Sequence, residues 1–136
     1  MNFSKVMLID DNDLDNYVNK KIMEKAEFAE TFMVHNKAEQ ALKFLRENAK
    51  NALELPEIIF LDINMPQMNG WDFLKEFSSL PADVTGLCPV VMLTSSIDPI
   101  DYQRSKAYPS VFDYIKKPLN RETLNTITIE NIFAEK

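Results

Sequence analysis

Residues 58–70 read Ile58-Ile59-Phe60-Leu61-Asp62-Ile63-Asn64-Met65-Pro66-Gln67-Met68-Asn69-Gly70, and the stretch changes character at Asp62. Four apolar residues in succession suit a strand covered on both faces, because neither side of it can turn to water. A carboxylate ends the run. Pro66 and Gly70 then mark a loop, and Trp71, Phe73, Leu74 and Phe77 follow at helical spacing. A buried strand feeding a helix through a polar loop is one βα unit.

The same reading extends in both directions. Val6-Met7-Leu8-Ile9 and Val90-Val91-Met92-Leu93 are also continuously apolar, and the full set of apolar runs is 5–10, 31–35, 57–63, 89–94 and 111–116. Helix-period segments lie between them. Leu14, Val18, Ile22 and Ala26 share one face after the acidic cluster at Asp11 and Asp13. Asn36 and Glu39 are spaced as a capping box before Ala38, Ala41, Leu42 and Leu45. Asp98 before Pro99 has the pattern of an N-cap with proline in the first turn. A last helix is predicted from near Asn120, anchored by Leu124 and Ile127, although Thr126-Ile127-Thr128-Ile129 is poor helix-forming sequence. Alternation of this kind predicts an α/β fold, (βα)₅, around a five-stranded parallel sheet.

The chain has 136 residues, enough for one domain with one core, and 46% hydrophobic residues place it among globular proteins rather than disordered ones. A formal net charge of −6 with no basic stripe disfavours direct binding to nucleic acid or an anionic membrane. Cys88 is the single cysteine, which excludes an internal disulfide and a paired-cysteine metal site. The apolar run near the N-terminus is short and runs into acids, so it is neither a signal peptide nor a membrane span, and a cytoplasmic location is expected.

The polar residues at the run ends point to chemistry. Asp10 and Asp11, Asp62, Thr94 and Lys117 each follow a different apolar run, and in an open parallel sheet those ends share the edge where ligands bind. Gathered carboxylates repel one another, and a hard divalent cation relieves them; Mg²⁺ favours such oxygen ligands. With a hydroxyl and an ammonium group beside them, such residues suit phosphoryl transfer, one carboxylate serving as the nucleophile.

Asp62-Ile63-Asn64-Met65-Pro66-Gln67-Met68-Asn69-Gly70 resembles the D-x-x-M-P-x-M-x-G signature of CheY-like receiver domains of two-component response regulators. The remaining markers stand in that family's order: Asp10-Asp11, Asp62, Thr94, Lys117-Pro118. The resemblance spans nearly the whole chain. It implies a flavodoxin-like, doubly wound sheet of strand order 2-1-3-4-5, with residues 1–136 forming one receiver domain and no output domain. It makes Asp62 the phosphoacceptor. Asp10, Asp11, Asp62 and the backbone carbonyl of Asn64 become the Mg²⁺ ligands, with Asp10 acting mainly through water. Thr94 and Lys117 would hold phosphoryl oxygens, the Lys117–Pro118 bond would be cis, and Lys116 would be a solvated neighbour. Tyr114 matches the family's switch aromatic, expected to turn inward as Thr94 moves toward a phosphoryl group. Implied partners are a histidine kinase or histidine phosphotransfer protein and a further downstream protein, with the chain a monomer or weak dimer.

Other residues read as packing: His35 as a strand histidine, Cys88 as an apolar filler, Trp71 and Phe73 as core, and Met65 and Met68 as shaping the acceptor loop. Ser110-Val111 departs from the Gly-Ala common in the family before the switch strand. Asn64 and Ser96 occupy positions that influence acyl-phosphate lifetime there. Two alternatives concern function. One is a relay intermediate that passes its phosphoryl group to a histidine phosphotransfer domain. The other is a haloacid-dehalogenase-like phosphatase, suggested by Asp11-x-Asp13 but disfavoured by motif order. Beyond self-phosphorylation and autodephosphorylation, no enzymatic activity is expected.

Overall fold

Five strands, β1 (Phe3–Ile9), β2 (Ala29–His35), β3 (Ile58–Asp62), β4 (Val90–Thr94) and β5 (Val111–Lys116), form one parallel sheet of order β2-β1-β3-β4-β5 in the computed structural model, which describes residues 3–134. This is the doubly wound, flavodoxin-like order, with the central strands where the longest apolar runs predicted them. Every residue of β3 and β4 is buried. Register places Leu8 opposite Phe60, Asp62 opposite Leu93 and Thr94 opposite Lys116, so the strand ends line up along one edge.

Alternation along the strands splits the interior into two layers. Met7, Ile9, Ile59, Leu61, Val90 and Met92 belong to one cluster. It is completed by Leu42 and Leu45 of α2 (Ala38–Glu47) and Phe73 and Phe77 of α3 (Gly70–Phe77). Val6, Leu8, Ile58, Phe60, Val91 and Leu93 face the other way. There they meet Met23 of α1 (Asp13–Lys25), Leu124 of α6 (Arg121–Asn125), Ile127, and Ile132 of α7 (Ile129–Ala134). Each fully buried aliphatic or aromatic side chain contributes about 1.5–3 kcal/mol of hydrophobic stabilisation before chain entropy is charged against it.

Helix α1 corrects the sequence reading. Its buried residues are Asn16, Asn19 and Met23, whereas Leu14 is 68% exposed and Tyr17 and Val18 also face solvent. Ile22 and Ala26 are only partly buried. Polar contacts set this phase. Asn12 is the N-cap and accepts from the Asp15 N–H at 3.0 Å, and the Asn16 amide donates to the Asp10 carbonyl at 2.8 Å. Helix α2 corrects a second expectation. Its N-cap is Lys37, which makes no side-chain capping bond, and Asn36 instead reaches Asp13 at 3.4 Å.

A capping box does form at α3, where Asn69 and Asp72 exchange side-chain and backbone bonds. The expected Asp98 cap is present on α5 (Pro99–Ser105), with proline in its first turn. Between α3 and β4 lies a four-residue helix, α4 (Ala82–Thr85), that the periodicity did not reveal. The predicted last helix is divided into α6 and α7 across Thr126–Thr128, the stretch with weak helix propensity. No helix among the described residues is long and apolar enough to cross a membrane.

Candidate functional site

The acidic site lies where β1 and β3 end side by side at the middle of the sheet. Asp10 follows β1 directly and Asp62 is the last residue of β3; both are buried, while Asp11 is exposed. One carboxylate oxygen from each of the three lies within 4.8 Å of the others. Asp10 is oriented by the Asn12 N–H, which donates to its Oδ1 at 3.0 Å.

Lys117 enters from beyond the end of β5. Its Nζ donates to Asp15 Oδ2 at 2.8 Å, Asp10 Oδ2 at 3.0 Å and Asp62 Oδ1 at 3.2 Å. Its backbone N–H donates to the Thr94 carbonyl at 2.7 Å, and the Lys117–Pro118 bond is cis, as the resemblance implied. Lys116 is exposed. Thr94 is buried at the end of β4. Its hydroxyl donates to the Ser96 carbonyl at 2.8 Å and accepts from the Ser96 N–H at 3.2 Å, so it is held by its own loop.

Burial pushes the Asp62 carboxyl up to about 6, the negative charge of Asp10 adds to this, and Lys117 offsets part of it. Asp10 is raised for the same first reason, against the opposing pull of the Asn12 N–H and Lys117. Burial disfavours the Lys117 ammonium, but hydrogen bonds to Asp15 and Asp10 and the charges of Asp10 and Asp62 outweigh it. The amine is therefore held above its ordinary range.

Helix α3 packs directly against the acceptor segment. The Gly70 N–H donates to the Ile63 carbonyl at 2.8 Å, and a Cβ on Gly70 would lie 2.8 Å from the Ile63 Cα and 3.0 Å from the Asp62 carbonyl oxygen. Only glycine fits this approach without backbone movement. In the intervening loop Asn64 is exposed and Met65 buried. Gln67 adopts φ 65°, inside a turn closed by the Met68 N–H on the Pro66 carbonyl. A pocket of about 160 Å³ opens beside Asp11, between Asn36, Lys37, Met65 and Met68.

Tyr114, the expected switch aromatic, is 6% exposed, its ring meets Tyr102 edge-on at 5.9 Å, and its buried hydroxyl has no hydrogen-bond partner among the described residues. Trp71 is buried beneath the Arg104 guanidinium, 4.4 Å from its ring. Cys88 is fully buried, its thiol pushed up to about 12 by that burial. His35 packs near Phe44, and partial burial lowers its pKa.

Asp15 was missed in the sequence. It is the third residue of α1, three positions after the Asn12 N-cap, and its carboxylate accepts from Lys117 Nζ at 2.8 Å. Taking Asn12 as the cap would have placed it in that first turn.

A doubly wound parallel sheet with clustered carboxylates and a lysine at its C-terminal edge defines the phosphoacceptor class of two-component signalling domains. Residues 6–128 match the model of the response regulator receiver domain family, and the chain belongs to that family. The crystal structure of a two-component response regulator from Cytophaga hutchinsonii is similar at TM-score 0.85 and 31% identity, covering 99% of this chain and 97% of that one. A response regulator receiver protein from Dyadobacter fermentans gives 0.80 at 26% identity, covering 96% and 98%. Among sequence relatives, the probable methanogenesis regulatory protein FilR2 of Methanothrix harundinacea is 28% identical over 128 residues, 93% of this chain and 79% of that protein. The transcriptional regulatory protein HptR of Staphylococcus aureus is 35% identical over 72 residues, 53% of this chain but only 26% of its own length.

Proposed function

We propose that Asp62 accepts a phosphoryl group from a histidine kinase or histidine phosphotransfer protein, and that the modified domain signals by changing a partner-binding face. The observation that carries this reading is the Lys117 ammonium within hydrogen-bond distance of both Asp10 and Asp62, among three clustered carboxylates. In the transfer, an Asp62 oxygen forms a bond to phosphorus as the bond from phosphorus to the donor nitrogen breaks, and the electron pair leaves with the imidazole. Lys117 then exchanges its bond to Asp62 for one to a phosphoryl oxygen. The Thr94 hydroxyl turns from the Ser96 carbonyl to donate to another.

The donor set suits Mg²⁺, since Asp10, Asp11 and Asp62 offer only hard oxygens and the Asn64 carbonyl lies two residues beyond Asp62. When bound, the ion would balance the charge of the carboxylates and of the phosphoryl oxygens. Tyr114 would report the change through Thr94. A buried hydroxyl without a partner costs about 1–3 kcal/mol, which favours a second ring position.

Incubating the protein with Mg²⁺ and acetyl phosphate should add a single phosphoryl mass, and Asp62→Asn should abolish it. Modification persisting in that variant would overturn the assignment. p-Nitrophenyl phosphate should not be turned over repeatedly, in contrast to a phosphatase. Beryllofluoride should shift the environment of Tyr114.

A further inference from the structure

Three acceptors surround the Lys117 ammonium, and they differ in what else claims them. An ammonium group has three donors and no acceptor, so Asp15, Asp10 and Asp62 at 2.8, 3.0 and 3.2 Å saturate it. Asp10 and Asp62 belong to the carboxylate trio whose oxygens lie within 4.8 Å of one another. Asp15 does not. A cation in that trio or a phosphoryl group on Asp62 draws on the first two acceptors and leaves the third untouched.

Asp15 is also built to stay where it is. It stands in the first turn of α1, where its N–H is fixed by the Asn12 side chain at 3.0 Å. It forms the solvent side of the pair, with its side chain 39% exposed against 15% for Lys117. Asp13, the acid before it at the start of the helix, is exposed and receives the Asn36 amide, and no bond joins it to Lys117 among the described residues. A lysine stem has four rotatable carbons, so an ammonium that loses its anchors spreads over many rotamers.

We propose that Asp15 is a positioning residue that keeps the Lys117 ammonium at the acceptor site while Asp10 and Asp62 are engaged elsewhere. The proposal rests on the phosphoacceptor reading of Asp62. It adds a residue outside the metal and phosphoryl groups, on a helix whose phase is set by polar contacts.

The test uses the full chain saturated with Mg²⁺, comparing wild type with Asp15→Ala and Asp15→Asn. Two quantities are read: the rate of phosphoryl mass gain from acetyl phosphate, and the ¹⁵N signal of the Lys117 ammonium. Asp15→Ala should slow acceptance by about two- to fivefold, the scale of one partly exposed ion pair. Asp15→Asn, which keeps an acceptor oxygen but not the charge, should slow it less, and the ammonium signal should move or broaden in both. Acceptance that is unchanged or faster in Asp15→Ala, or an ammonium signal that stays where it was, overturns the proposal. A wild-type protein that gains no phosphoryl mass would instead refute the reading of Asp62, and the ammonium signal would still judge Asp15.

Discussion

Burying the Asp62 carboxylate carries a cost. The carboxyl is raised from 3.8 to about 6, so the folded state binds a proton that the unfolded chain has already released. The stability tied to that proton is complete below pH 3.8 and is lost as pH rises through about 6. Asp62→Asn should therefore stabilise the metal-free protein at pH 7 by about 1–3 kcal/mol, with little gain at pH 4. Urea unfolding at the two pH values checks this, and an equal gain at both would exclude it. At this scale much of the site was legible, because Asp10, Asp62, Thr94 and Lys117 all stand at or just beyond the end of an apolar run. Asp15 was not, because it lies inside a helix, where position alone does not say which side chains turn inward.

Helix boundaries were legible where one side chain could close one turn, as at Asp98, and illegible where two candidates competed. Asn36 and Glu39 have the spacing of a capping box, yet Asn36 is drawn to Asp13 and α2 starts after Lys37 without a side-chain cap. Asn69 and Asp72 do form one, and its first helical residue, Gly70, is bonded to the Ile63 carbonyl. Asn69→Ala should cost about 1 kcal/mol by removing an acceptor for an otherwise unpaired helix N–H. The loss should appear as a lower denaturation midpoint at unchanged slope. In α1 the misread face has a different cause: apolar periodicity marks Leu14 and Val18 as core, but Asn16 bonded to the Asp10 carbonyl outweighs it.

The central strands were the most legible feature, since strands buried on both faces leave no alternative to continuous apolar runs, whereas the edge strands β2 and β5 are only partly buried. The short helix α4 and the split between α6 and α7 were less so, because segments of four to six residues carry too few turns for a periodic pattern. The sheet also keeps the two core clusters apart. Phe77→Leu in one and Ile127→Val in the other should each cost on the order of 1 kcal/mol, and the double variant should equal their sum within about 0.5 kcal/mol. A larger coupling, measured by the double-mutant cycle, would show that the layers communicate through the strands. If they do not, the molecule has two interiors that can drift independently over generations. A lineage could rewrite the side chains beneath α2 and α3 and leave those beneath α1 and α6 as inherited. Only the strands, which end at the acidic edge, would carry the memory of both.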